Sequence, residues 1–142
     1  MRELLGVVAG AIVGTLLRLG LDTVIPHTDA TFPTSTLVIN LLGSFVLGLF
    51  VAGLWPRVTA WQKAALGPGL LGTFTTFSAF AVSLVTLAAA GEWALAAVYL
   101  VITLVGGFLA AAAGLALGGR LTARLTRRLT SRLTARLETD DE

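Results

Sequence analysis

Three stretches of this sequence contain no charged residue at all: residues 30–56, 64–91 and 93–119. Each is longer than the roughly 20 residues that a helix needs to cross the hydrocarbon of a bilayer. A fourth apolar stretch, residues 4–21, is interrupted only by Arg18. The pattern predicts an all-α membrane protein of four transmembrane helices, with connections near residues 22–34, 55–63 and 91–93. Composition agrees, because 13% of the residues are charged where a soluble domain carries about 25%. The first stretch also admits a signal-peptide reading, since Arg2 precedes an apolar run and Ala9, Gly10 and Ala11 resemble a cleavage site. That run continues past the small residues with Arg18 inside it, and three spans would remain on either reading.

The net charge of +2 and ten Lys and Arg residues invite a nucleic-acid reading until their positions are considered. Six of the ten lie between Arg120 and Arg136, and the remaining body offers no basic face interleaved with aromatics to follow a phosphate backbone. Nucleic acid is therefore excluded as a partner. The absence of cysteine removes disulfides, thiolate metal sites and thiol nucleophiles. One histidine, His27, makes no cluster. Four acidic residues fall in the last five positions, which leaves Glu3, Asp22, Asp29 and Glu92 near span ends. Paired carboxylates for acid-base work have nowhere to meet, so the chain does not read as an enzyme.

Small residues at four-residue spacing let helices approach closely in lipid. Gly6, Gly10 and Gly14 form such a face on the first span, and Gly106, Ala110 and Gly114 on the fourth. Packing within one bundle and sealing of a dimer both fit these faces. After Gly119 the character changes, and the chain divides into a channel-like membrane domain, 1–119, and a basic amphipathic extension, 120–142. Arg120, Arg124, Arg128, Arg132 and Arg136 repeat every four residues, each followed by leucine. A period of four overshoots the helical repeat by about 40° per step, so no straight seam forms. A basic helix at an anionic membrane surface and a solvated, topology-setting extension are both compatible with it.

Three features carry chemistry. Arg18 is a cation inside an apolar span, costly unless it snorkels to the span end or attracts anions at a vestibule. Thr36, Asn40 and Ser44 make a polar stripe on the second span, available for interhelical hydrogen bonds or as donors to a dehydrated anion. Residues 67–80, GPGLLGTFTTFSAF, combine glycines, a proline and consecutive threonines in the middle of the third span. This predicts a broken helix with free carbonyls that protein, water or an ion must satisfy. Phe74, Phe77 and Phe80 are spaced by three, which places them on one face. Their rings either pack or present their positive edges to a small anion.

Together, Gly14 to Arg18, the segment TLVINLLGSF from Thr36 to Phe45, and TTFSAF from Thr75 to Phe80 closely resemble the Fluc fluoride channels, also called the CrcB family. The resemblance covers about residues 4–118, in order, and leaves out the basic extension. It implies an antiparallel dimer of four-helix subunits with two fluoride pores and a structural sodium ion at the dimer centre. Phe77 and Phe80 match the pore phenylalanines, Asn40 the pore asparagine, and Thr36 the threonine one turn before it. Arg18 matches the vestibule arginine, and Thr103 a fourth-span hydroxyl on the polar track. Gly72 and Thr75 match the residues whose backbone carbonyls hold sodium. Two departures stand out: Gly107 where many relatives carry a second fourth-span serine, and Ser83 where many have a glutamate.

Physical reasoning accommodates these expectations. Fluoride is strongly hydrated, so a selective path must replace its water with closely spaced donors such as Thr36, Asn40, Ser44 and Thr103. No nucleotide site or proton-carrying carboxylate is visible in the spans, which favours passive export of cytoplasmic fluoride and hence fluoride resistance. A small-substrate secondary transporter and a non-conducting membrane assembly subunit are the alternatives. Nine of the ten basic residues fall on one side of a four-span layout, and Arg18 lies within a span. The positive-inside rule then places both termini in the cytoplasm. Such a bias opposes equal insertion in both orientations, so the dimer partner is expected to be an oppositely oriented paralogous subunit.

Overall fold

The computed structural model describes residues 1–25 and 32–140, with side chains through Arg128 and at Thr130; His27 and Asp29 lie outside the described residues. All its regular elements are helical: α1 (Arg2–Val24), α2 (Thr34–Gly53), α3 (Ala60–Ala64), α4 (Gly72–Phe74), α5 (Phe77–Ala89) and α6 (Trp93–Asp140). A 3-10 turn at Trp55–Arg57 follows α2, and a π-helical segment, Ala65–Leu71, joins α3 to α4. Four helical stretches are long and apolar enough to cross a membrane: Arg2–Val24, Thr34–Gly53, Ala60–Ala89 and Trp93–Arg128. The protein is thus a multi-pass membrane protein of the expected all-α class.

Local chemistry explains the boundaries. Thr59 and Gln62 form a capping box at the start of α3, with the Gln62 Oε1 accepting from the Thr59 N–H at 2.9 Å. Pro68 has no N–H to give an α-helical ladder, and the wider π turn absorbs the gap. Gly91 ends the α5 turn with φ of 81°, while the Glu92 N–H reaches back to the Leu87 carbonyl at 2.9 Å. A side chain at that φ would be strained. The basic extension continues α6 without a break. Its first turn is tied to the end of α2, where Arg57 donates to the Gly53 carbonyl at 2.8 Å and to the Thr122 hydroxyl at 3.2 Å.

The helices pack as two close pairs. In the first, α1 lies on the opening half of the third span. A Cβ at Gly10 would collide with the Ala65 carbonyl, one at Gly14 with the Leu70 carbonyl, and one at Gly6 would stand 2.8 Å from the Trp61 carbonyl. The Thr73 hydroxyl fastens the same contact by donating to the Ala11 carbonyl at 3.1 Å. In the second pair α2 and α6 run parallel, with Gly48 against Ala111, Gly114 against Phe45 and Gly118 against Leu49. Both small-residue faces therefore serve packing inside one subunit. Gly106 contributes less than its spacing suggests, since it faces only the Leu41 side chain, while Gly118 extends the face. A small core of Phe80, Leu87, Ala96 and Tyr99 joins α5 to α6.

Candidate functional site

The third span stops being helical at Thr75 (φ −73°, ψ 153°) and Thr76 (φ −142°, ψ 117°), both extended. An extended pair at membrane depth strands backbone groups that lipid cannot satisfy. Asn40 of α2 takes up both groups of Thr76. Its Oδ1 accepts from the Thr76 N–H at 2.8 Å, and its Nδ2 donates to the Thr76 carbonyl at 3.0 Å. The Thr76 hydroxyl in turn caps α5 by accepting the Ala79 N–H at 3.2 Å. Gly43, almost one turn after Asn40, permits the approach, because a Cβ there would collide with the Thr75 methyl and crowd the Phe74 ring.

These partnerships redirect two N–H groups. In an unbroken helix the Gly72 carbonyl would accept from the Thr76 N–H, which is bonded to Asn40 instead. The Thr75 carbonyl would accept from the Ala79 N–H, which goes to the Thr76 hydroxyl. Both oxygens thus lack their helical donors, and both residues line one cleft. Among the described residues no group of His, Cys, Asp or Glu could hold a metal ion. A cation here would be held by neutral carbonyl oxygens, a donor set that suits a hard cation.

The cleft, about 570 Å³, opens on the side of the subunit and is lined by Asn40, Ser44, Thr76, Phe77, Phe80 and Thr103 among others. Along it α2 and α6 keep a constant register. Thr36 lies near the Tyr99 hydroxyl, Ser44 beside Gly107 and Gly48 beside Ala111, so Asn40 faces the level of Thr103. The hydroxyls on this seam are not spent on their own helices. Thr73, Thr75, Thr126 and Thr130 bond backward to carbonyls three or four residues before them, whereas the Tyr99 and Thr103 hydroxyls are buried close to one another and to Thr36 without a well-formed hydrogen bond. Ser83 also sits near the Tyr99 hydroxyl, again without a hydrogen bond between them.

Phe77 and Phe80 are neighbours, their ring centroids 5.8 Å apart and their planes tilted by 49°. Phe80 is 6% exposed and leans on Tyr99 with centroids 5.4 Å apart, while Phe77 is 79% exposed at the open side of the cleft. The spacing by three does not carry through to Phe74. The extended Thr75 and Thr76 rotate the chain, and Phe74 is buried against α2 on the other side of the break.

Arg18 lies apart from the cleft, in a second cavity of about 400 Å³ with Asp22, Thr36, Thr76 and Ser78. Thr76 lines both cavities and connects the two groups of residues. The polar stripe of α2 is thereby divided: Thr36 faces the Arg18 cavity, and Asn40 and Ser44 face the cleft. Two residues at the site escaped sequence reasoning. Tyr99, 0% exposed, is the chain's single tyrosine and stands one turn before Thr103, a spacing that signals a shared face. Gly43 was visible as the glycine of Asn40-Leu41-Leu42-Gly43, but its role depends on the break it faces.

A family model described as CrcB-like protein, Camphor Resistance (CrcB), matches residues 5–115. This chain belongs to the CrcB family. Its relatives include the fluoride-specific ion channel FluC 2 of Geobacillus kaustophilus, 40% identical over 79% of this chain and 89% of the relative. The fluoride-specific ion channel FluC of Deinococcus radiodurans is 40% identical over 82% of this chain and 91% of its own. FluC 1 of Mycobacterium bovis is 36% identical over 77% and 84% respectively. The CrcB match ends before the basic extension, so the cleft, the break and the Arg18 cavity all fall inside it.

Asn40 satisfies two backbone groups in this CrcB subunit, each worth about 1–3 kcal/mol if left unpaired. Asn40→Leu is expected to destabilise the protein by about 2–6 kcal/mol on that basis, and Asn40→Asp by at least as much, because an ionised carboxylate there is a buried, unpaired charge facing the Thr76 carbonyl. Thermal unfolding of the detergent-solubilised protein measures both, and an unchanged midpoint for Asn40→Leu would count against the clamp.

Proposed function

We propose that this chain is a subunit of a fluoride-selective ion channel of the cell membrane, releasing cytoplasmic fluoride by passive flow. Membership in the CrcB family and the printed function of its relatives support the ion and the channel class. The observation that carries the mechanism is the seam of unspent donors at membrane depth beside the Phe77–Phe80 pair. Fluoride leaving its hydration shell needs strong donors at short intervals, and Thr36, Asn40 and Ser44 offer them at successive turns of α2, about 6 Å apart, with Thr103 of α6 level with Asn40. The second Asn40 amide hydrogen remains for the ion after the first has bonded Thr76. The phenylalanine edges bridge between hydroxyls without offering water a partner. Arg18, in its cavity near Asp22, concentrates anions at the entrance.

The working assembly is an antiparallel dimer whose second subunit covers the open cleft and the exposed Phe77. Gly72 and Thr75 carbonyls from each subunit would then surround a structural sodium ion, and its fixed charge would offset the cost of bringing an anion into low dielectric. Arg2, Arg57, Lys63 and the extension arginines gather at one end of the layout, which places both termini in the cytoplasm. A chain so biased pairs with an oppositely oriented paralogous subunit more readily than with an inverted copy of itself.

Liposomes loaded with fluoride and chloride and carrying the purified assembly test the channel. Fluoride should leave under an electrical driving force while chloride stays. Equal release of both ions, uptake coupled to a second solute, or no fluoride release from assembled protein would each overturn the reading. Phe77→Ile and Phe80→Ile keep apolar bulk and remove the ring edge, so they should collapse flux with assembly intact; near-normal flux would return both rings to packing. Sodium should copurify and exchange slowly, and a high-resolution map with water or no density among the Gly72 and Thr75 carbonyls in abundant sodium would refute that site. For the partner, the chain is expressed alone and its C-terminus mapped by protease in oriented vesicles. A single cytoplasmic location is expected; equal exposure on both faces, with fluoride flux from the lone chain, would mean a dual-topology homodimer.

A further inference from the structure

The last helix leaves the bilayer upright. Its uncharged stretch, residues 93–119, spans about 40 Å at 1.5 Å per residue, the thickness of a bilayer with its headgroups. Trp93, 70% exposed, marks one interface, and Arg120, the first charge after it, reaches the other. Because α6 runs on through the extension without a break, the first turns of the extension cannot lie flat on the surface as a separate amphipathic helix would. Their rotation is fixed as well. The Thr122 hydroxyl donates to the Gly53 carbonyl at 3.1 Å and accepts from Arg57 at 3.2 Å, and one turn earlier Gly118 lies against the Leu49 carbonyl.

That attachment decides where the arginines point. At 3.6 residues per turn Arg120, Arg124 and Arg127 span about 60° of arc on the side of α6 opposite Thr122 and Gly118. Leu104, which lines the cleft, falls on the Thr122 side, so the arginine face is turned away from both α2 and the cleft. All three arginines are exposed, and among the described residues none has an ion-pair or hydrogen-bond partner. Neighbouring cations are engaged within the subunit: Arg57 is bonded to Gly53 and Thr122, and Lys63 lies over the Trp55 ring at 5.4 Å. Side chains on a helix tilt toward its N-terminus, which for α6 is back toward the bilayer. Three guanidinium groups along about 10 Å of helix are thereby offered to the headgroup layer.

We propose that Arg120, Arg124 and Arg127 form a docking face for the headgroups of anionic phospholipids, held outward by the Thr122 attachment. Depth, direction and charge together select this occupant. A guanidinium fork matches the oxygens of a phosphate, and at this level the groups beside an outward-facing helix are lipid headgroups. Arg132 and Arg136 continue the repeat in the sequence, but their positions on α6 stand about 18 and 24 Å beyond Arg120 along the axis, past the headgroups. The face lies outside the residues that match the CrcB family, 5–115, and its role is independent of which ion passes the cleft.

Native mass spectrometry of the purified full-length protein, titrated with phosphatidylglycerol or with phosphatidylcholine of the same acyl chains, counts the lipids bound and tests the proposal. Phosphatidylglycerol should bind more tightly, by a margin that shrinks as ammonium acetate is raised. Arg124→Gln/Arg127→Gln should weaken phosphatidylglycerol binding by about fivefold per arginine and leave phosphatidylcholine unchanged, while Arg124→Lys/Arg127→Lys should keep most of the preference. Arg132→Gln/Arg136→Gln removes the same charge farther along the helix and should leave both affinities near wild type. Gel filtration confirms that each variant assembles, and should the proximal glutamine pair fail to do so, Arg120→Gln takes its place with a fivefold loss expected. A wild type that does not prefer phosphatidylglycerol, the result if an acidic protein is the occupant, overturns the proposal. So does an equal loss from the distal pair, which means diffuse charge attraction, and so does displacement of the lipid by an equal concentration of glycerol phosphate, which means a free-anion site. None of these measurements uses fluoride flux, so this face and the channel reading stand or fall separately.

Discussion

Everything at the centre of this subunit depends on the pair of hydrogen bonds between Asn40 and the backbone of Thr76. A helix broken in hydrocarbon strands an N–H and a C=O, and lipid offers neither a partner. Asn40 carries both a donor and an acceptor on one rigid amide, so a single side chain substitutes for the missing helical turn. The consequence reaches further than repair. By taking the Thr76 N–H, Asn40 releases the Gly72 carbonyl, and by capping α5 the Thr76 hydroxyl releases that of Thr75. Two acceptors on residues that line the cleft thus lose their helical donors because two donors have been reassigned. Gly43 is the steric condition for this arrangement, since any side chain there would push α2 off the break.

The same accounting of donors separates structural hydroxyls from available ones. Thr73 has three carbonyls within reach of its one hydroxyl proton, the nearest that of Gly69, Thr75 spends its proton on Leu71, and Thr126 and Thr130 on the turn before them. Threonines so occupied behave as apolar residues with a methyl group outward. Thr103 and Tyr99 do the opposite, each burying an oxygen without a partner. An unpaired buried hydroxyl costs about 1–3 kcal/mol, and these two form a polar cluster with Thr36 and Ser83 between the helices, in which a small shift pairs one with another and leaves acceptors and donors for water or an ion.

Sequence reasoning reached the class of fold and the location of the break for physical reasons that are local. Charge-free length marks a span, and the glycines, Pro68 and paired threonines mark where its ladder must fail. Asn40 was legible as a polar group needing a partner, though not which partner, because the amide bonds a backbone 36 positions away. Helix pairing was illegible in the same way: Gly6, Gly10 and Gly14 announce a close approach without naming the helix approached. Phe74 was misplaced because a spacing of three implies a shared face only where the helix continues. Tyr99 was missed because one phenol in an apolar span reads as packing until the register of α2 and α6 sets it near Thr36.

The proposed dimer answers an energetic demand that the single chain leaves open. The cleft is lined at membrane depth by the polar residues Asn40, Ser44, Thr75 and Thr76, and Phe77 stands beside them almost uncovered. Lipid would leave those groups unsatisfied, while water would need a polar passage that the apolar walls of Leu47, Val51 and Leu71 do not provide. A second protein surface resolves the conflict, provided that it brings its own polar break opposite this one. The proposed antiparallel arrangement would do so at mid-membrane, where the break lies, and would leave the basic ends of the two chains on opposite faces. The charge pattern then acts against the geometry, because nine basic residues on one side favour a single orientation. A partner of opposite bias, as proposed, would remove that conflict without altering anything at the centre, where the clamp at Asn40 stays fixed.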